Sequence, residues 1–316
     1  VSENVNLLSR RDNGFISKNT EPGKVYRWMD PDNFSWYHGQ NERLGEDWKY
    51  HNSKGDITYT YNSDGFRNEK TLQDLFIPHD DYIVVIGSSQ IEGIGILAED
   101  TMAKKLQQKI GTHVYNMGMS GTATFEQFNN LTNLICNYHA PKAVIMTGNT
   151  SRWTTVEVED KPGYFMKVGP WIEFFKKHIA GNRGDEFTDR TIEYYNSRIA
   201  TKKDLHEDEM LFSMAKQLCD KVGSKLIMLE VFEGRPTKHI PGITPDDVDW
   251  IEIDNSAFGA IFQHNDHDFM MRYTRYKEKE LPAEDLNTYA RDAIHQGAEY
   301  NEWVTSRVQA ILEKDQ

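Results

Sequence analysis

The chain has 316 residues, enough to bury a sizeable core, and its length fits one enlarged α/β domain or a domain plus a smaller appendage, one domain with insertions being the expected arrangement. Its 36 Lys and Arg against 49 Asp and Glu give a net charge of −13, and an acidic surface repels polyphosphate, so nucleic acid is not an expected partner. No stretch of about eighteen apolar residues marks a membrane span, and no basic-then-apolar leader pattern stands at the N-terminus.

In chain order, residues 1–78 are polar and irregular but carry an aromatic cluster, Tyr26, Trp28, Phe34, Trp36, Tyr37, Trp48 and Tyr50. They read as an arm wrapped on a main domain of residues 79–316. The rings are expected to cover apolar surface, with stacking on sugar rings as the alternative. Continuous apolar runs at 82–86, 143–146 and 226–231, with a shorter one at 113–116, are candidate buried parallel strands. Between them Met102, Leu106 and Ile110 share one helical face, and Phe125, Phe128, Leu131 and Ile135 another. The second of these helices opens with Thr124 and Gln127 at capping-box spacing. A third pattern runs through Leu211, Met214, Leu218 and Val222 to Gly223, a left-handed terminator. Trp303, Val304, Val308 and Ile311 give the last helix its apolar face. Strand and helix alternate, which predicts a three-layer α/β/α doubly wound parallel sheet. Residues 151–200 and 232–290 interrupt that rhythm as long insertions at the carboxyl edge, where loops build active sites; Trp250–Ile253 supplies a fifth strand within the second. Cys136 and Cys219 each lie in an apolar helical pattern and read as buried thiols, neither a disulfide framework nor a zinc set.

The chemistry-bearing residues stand at the ends of these elements. The strand from Tyr82 ends in Gly87-Ser88-Ser89, a tight turn from which a hydroxyl projects. A serine needs a base to take its proton, and the base needs an orienting group. Ser89 is the candidate nucleophile, His295 the base and Asp292 the orienter, since a three-residue separation on a turn can return a carboxylate to the imidazole. Taken alone, each piece has a plainer reading: a strand-to-helix turn, a glycine turn, a helix cap with a solvated imidazole. Gly93 and Gly95 make the first loop glycine-rich, but no Gly-Lys-Ser/Thr follows, so nucleotide binding is not supported. His264-Asn-Asp-His-Asp268 gathers potential metal ligands in five residues, yet such clusters are usually solvated loops and no metal is expected.

Four blocks in order, Gly87-Ser88-Ser89, Asn116-Met-Gly-Met-Ser-Gly121, Gly148-Asn149 and Asp292-Ala-Ile-His295, resemble the SGNH hydrolase superfamily, the GDSL-type esterases and lipases. Asn62-Ser-Asp-Gly-Phe-Arg67 is similar to a segment that precedes the first block in many bacterial members. The resemblance spans residues 60–305 outside the insertions. It implies a flavodoxin-like sheet, a Ser89–His295–Asp292 triad without cofactor, and an oxyanion hole built from the N–H groups of Ser89 and Gly121 and the side-chain amide of Asn149. It also implies hydrolysis of a small ester, an acetyl or short acyl group on a carbohydrate in preference to a long lipid. The setting it suggests is the cytoplasm or a phage or bacterial assembly. Two positions depart from the usual pattern: Ser88 stands where an aspartate precedes the serine, and Thr150 where an aspartate follows Asn149. A carbohydrate-binding or structural protein with a degenerate site is the competing expectation.

Overall fold

The computed structural model describes residues 8–18, 20–29, 32, 34–52, 57–76, 82–147, 154–158, 161–168, 203–229, 248–251, 289–292 and 295–314. Five strands form the central sheet: β5 (Tyr82–Gly87), β6 (His113–Gly118), β7 (Ala143–Thr147), β10 (Lys225–Leu229) and β11 (Asp249–Ile251). All pair in parallel, in the spatial order β11-β10-β7-β5-β6. Numbered among themselves, these strands run 2-1-3-4-5, the flavodoxin-like order, with the switch point between β5 and β7. Crevices for ligands open there, at the carboxyl ends of the strands.

Every residue of β5 and β7 is buried, which explains runs that are apolar throughout and not alternating. Successive side chains still point to opposite faces. Ile83, Val85, Ile145, Ile227 and Leu229 face helices α3 (Met102–Ile110) and α6 (Ala298–Glu313), through Met102, Leu106, Val304 and Val308. Val84, Ile86, Val144, Met146 and Met228 face α4 (Thr124–Asn137) and α5 (Lys203–Val222), through Leu131, Leu134, Phe212 and Cys219. Each such side chain, fully withdrawn from water, contributes about 1.5–3 kcal/mol. The result is the expected three-layer α/β/α sandwich.

Described residues of the arm pack into both cores. Tyr37 and Leu44 of α1 (Phe34–Leu44), with Trp48, join the first cluster, while Leu8, Phe15, Ile16 and Phe66 join the second. Short strands β1 (Leu8–Arg10) and β2 (Ile16–Lys18) form an antiparallel sheet with β8 (Thr154–Val158) and β9 (Lys161–Val168) of the first insertion, in the order β2-β1-β9-β8. Leu8 pairs with Phe165 and Ser9 with Tyr164. A two-stranded ribbon, β3 (Val25–Tyr26) and β4 (Tyr59–Thr60), completes the arm. Among the rings, Tyr37 and Trp48 lie in the core with Trp28 and Tyr50 packed against it, whereas Phe34 is exposed.

Several local expectations shift. The buried stripe of α5 is Phe212, Ala215 and Cys219; Met214 and Val222 are exposed, because two overlapping three-and-four registers exist and docking on α4 selects the other one. Phe125 is also exposed, at the first turn of α4. That helix is capped one residue earlier than its spacing suggests: Ala123 is extended, and its N–H donates to Glu126 Oε2 at 2.7 Å, half of a capping box. Cys219 is buried, and burial pushes its thiol up to about 12, but Cys136 is exposed. Gly223 does end α5 with φ 75°, and Ser224 N–H returns to Cys219 O at 2.9 Å. Strand β11 begins at Asp249, one residue ahead of its expected start, and residues 252 and 253 lie outside the described residues, as do 230 and 231 after β10. Among the described residues no helix is long and apolar enough to cross a membrane.

Candidate active site

Strand β5 delivers Ser89 to the switch point. Its Gly87 pairs with Gly118 of β6, and Ser89 opens a four-residue helix, α2 (Ser89–Glu92). As the first helical residue, Ser89 has an N–H with no acceptor inside the helix. Ser88 is buried and its hydroxyl donates to Gln90 Oε1, so the adjacent serine is turned away into the α2 turn.

His295 Nε2 lies 2.6 Å from Ser89 Oγ, and its Nδ1 is bonded to Asp292 Oδ2. The His295 backbone N–H donates to the other oxygen, Asp292 Oδ1, at 3.0 Å, so one carboxylate holds both the ring and its own loop. The loop is closed by Ala290 N–H to His295 O at 2.8 Å, and tied to the first block by Arg291 N–H to Gly95 O at 2.8 Å. Asp292 is fully buried and His295 nearly so. With Nδ1–H donated to Asp292, Nε2 is left to accept the serine proton. Burial pulls the imidazole pKa down. The Asp292 charge and hydrogen bond, helped by Glu92 and Asp32, outweigh it, so the pKa is raised above the ordinary 6.5.

The second block is built for close approach. A Cβ on Gly118 would sit 2.1 Å from Glu92 N, so only glycine lets β6 lie against α2. Asn116 Nδ2 donates to Ile91 O at 2.8 Å and its Oδ1 accepts Gly118 N–H at 2.8 Å, locking the strand end to that helix. Gly121 follows with φ 71°, a conformation that favours glycine. Gly148 and Asn149 lie outside the described residues, as does His264–Asp268.

Three structural features around these blocks had not been read from the sequence. Glu92, fully buried, lies behind the Ser88–Ser89 turn. Its Oε1 accepts from Tyr61 OH at 2.6 Å and stands 2.9 Å from Lys18 Nζ, while its Oε2 accepts from both the N–H and the hydroxyl of Ser120 at 2.5 Å. Burial alone would raise its pKa, but Lys18, Ser120 and Tyr61 together hold it at about 2. Arg67 clamps the same loop, donating to Ile96 O at 3.0 Å, Thr58 O at 2.8 Å and Gly93 O. This gives the Asn62–Arg67 segment a physical reason to precede the first block. Behind the His295 loop, Arg291 pairs with the buried Asp32 at 2.6 Å and stacks 4.1 Å above the Trp28 ring. Burial raises the Asp32 pKa against the pull of Arg291. A lone glutamate in the glycine-rich loop Ile91-Glu92-Gly93-Ile94-Gly95-Ile96 was the one visible signal. Nothing in the sequence marked Lys18 as the partner of Glu92, or Asp32 as the partner of Arg291.

No protein-family model matches the chain, and no curated protein does. Solved structures similar to it include several esterases, among them proteins described as of the SGNH-hydrolase or G-D-S-L family. The psychrotrophic esterase EstA from Pseudoalteromonas sp. is 12% identical, with a TM-score of 0.38 over 74% of this chain and 98% of that one. TesA is 12% identical with a TM-score of 0.37, over 74% of this chain and 99% of its own. AlinE4, an SGNH-hydrolase family esterase, is 13% identical with a TM-score of 0.31, over 65% and 98% of the two chains.

Proposed function

We propose that the protein is a serine ester hydrolase that removes a small acyl group, most simply acetyl, from a carbohydrate or similar hydrophilic alcohol. One observation carries the reading: a serine hydroxyl, an imidazole and a buried carboxylate from segments 206 residues apart lie in hydrogen-bonded series at the switch point of the sheet. In this reading Ser89 Oγ attacks the ester carbonyl as its proton passes to His295 Nε2, and Asp292 stabilises the imidazolium that forms. The developing oxyanion is received by the N–H groups of Ser89 and Gly121 and by the Asn149 amide. His295 then returns the proton to the departing alcohol. Water, deprotonated by the same imidazole, attacks the acyl-Ser89 ester, and the acid leaves with Ser89 regenerated. Neither a metal nor a cofactor takes part in this sequence of steps. The polar composition of the chain supports a hydrophilic alcohol over a lipid.

Turnover of p-nitrophenyl acetate, of its octanoate and of a peracetylated sugar by the purified protein tests this reading. Hydrolysis of the acetates with much slower octanoate turnover is the expected result. A folded protein that binds the sugar but hydrolyses none of the three would be a binding protein, and the proposal would be wrong.

A further inference from the structure

We infer that Glu92 is a positioning residue for the oxyanion hole, with Lys18 as the counter-charge that lets it sit there. The inference rests on the hydrolase reading and deepens it. Glu92 closes the short helix that begins at Ser89, and its carboxylate holds Ser120 at both its N–H and its hydroxyl, 2.5 Å each. Residue 120 is thus held through both its N–H and its hydroxyl on the one oxygen, Glu92 Oε2, and the next peptide N–H belongs to Gly121. One side chain therefore sets the spacing between the nucleophile turn and the loop that carries the second proposed oxyanion donor. Tyr61 and Lys18 take the other oxygen, at 2.6 and 2.9 Å.

Stability alone is a weak reason for such a pair, because burying two charges costs much of what their attraction returns, and well-packed apolar replacements are often as stable. Lys18 and Glu92 are both almost wholly enclosed. A bare carboxylate beside an oxyanion hole would oppose the negative charge that forms there; the ammonium of Lys18, 2.9 Å away, cancels it. Gly65 belongs to the same arrangement: a Cβ there would meet Ser17 Oγ at 2.2 Å and Lys18 O at 2.9 Å, so glycine lets the strand that carries Lys18 lie close. The arm is then more than a cover, since it supplies the charge that balances the positioning carboxylate.

The experiment compares Glu92→Gln, the double variant Lys18→Met/Glu92→Gln and Ser120→Ala with wild type on p-nitrophenyl acetate, with melting measured alongside. Small displacements of catalytic groups cost up to about 100-fold. Folded Glu92→Gln and the double variant should each lose roughly 10- to 100-fold in kcat with KM nearly unchanged. Ser120→Ala removes one of the two contacts and should lose a few-fold in kcat. Wild-type kcat in folded Glu92→Gln or in the folded double variant overturns the inference. If neither folds, Ser120→Ala decides: a loss in kcat supports it, and wild-type kcat overturns it. Inactive wild type defeats the hydrolase reading instead, so the two failures are distinguishable.

Discussion

Ser88 and Ser89 are adjacent hydroxyls with different surroundings. Ser89 Oγ meets His295 at 2.6 Å, whereas Ser88 donates to Gln90 in the turn. Ser89→Ala should lower kcat by about 10⁴- to 10⁶-fold without loss of melting temperature, and Ser88→Ala should retain most activity. Kinetics and melting of the two single variants check this, and the opposite pattern would shift the nucleophile by one residue. His295 makes a separate forecast. The base must be neutral to act, and its pKa is raised, so kcat/KM should rise with pH through a midpoint above 6.5, not at it. A pH–rate profile with its acid limb below 6.5 would contradict the carboxylate surroundings. The same shift means His295 contributes stability fully present below about 6.5 and lost as pH rises through its folded value. For Asn149, replacement by Ala should cost roughly 10² to 10³ in kcat at constant KM if it donates to the oxyanion; early melting with normal turnover would remove it from the site.

The elements show which parts of the fold could be read from one sequence. Strands β5 and β7 were legible because strands covered on both faces are apolar without interruption, and their ends located the serine turn and the Gly148-Asn149 block. Helix faces were less so: in α5 the exposed Met214 and the buried Phe212 both fit a helical period, and only packing on α4 decides between them. Ser89, His295 and Asp292 could be singled out because the proposed chemistry needs particular residue types, and the structure places them in hydrogen-bonded series. Their supports could not, since Lys18 to Glu92 and Asp32 to Arg291 are long-range pairs whose partners look like ordinary surface charges in the sequence. These supports make predictions at the same scale. Arg291→Met leaves Asp32 buried without its partner and should destabilise the fold by about 3–5 kcal/mol, with Asp32→Asn/Arg291→Met recovering much of it. Denaturant unfolding of both variants checks this; an equally unstable double variant would mean that Arg291 acts through Trp28 packing instead. Gly118→Ala places a Cβ on the Glu92 backbone and should cost about 1–3 kcal/mol, together with activity, as β6 and α2 move apart.

Across the whole molecule, residues before the sheet and residues after its last strand converge on one crevice. β5 carries the serine, the loop before α6 carries the histidine and aspartate, and the arm reaches both through Lys18 and Asp32. The hydrogen-bonded series Ser89–His295–Asp292 is the observation on which the proposed hydrolase function rests. The most direct measurement is reaction of the folded 316-residue chain with a serine-directed fluorophosphonate probe, followed by peptide mapping. Stoichiometric labelling at Ser89, abolished in Ser89→Ala and strongly slowed in His295→Ala, is the expected result. A folded chain that takes up no label, or takes it up at another residue, would contradict the account.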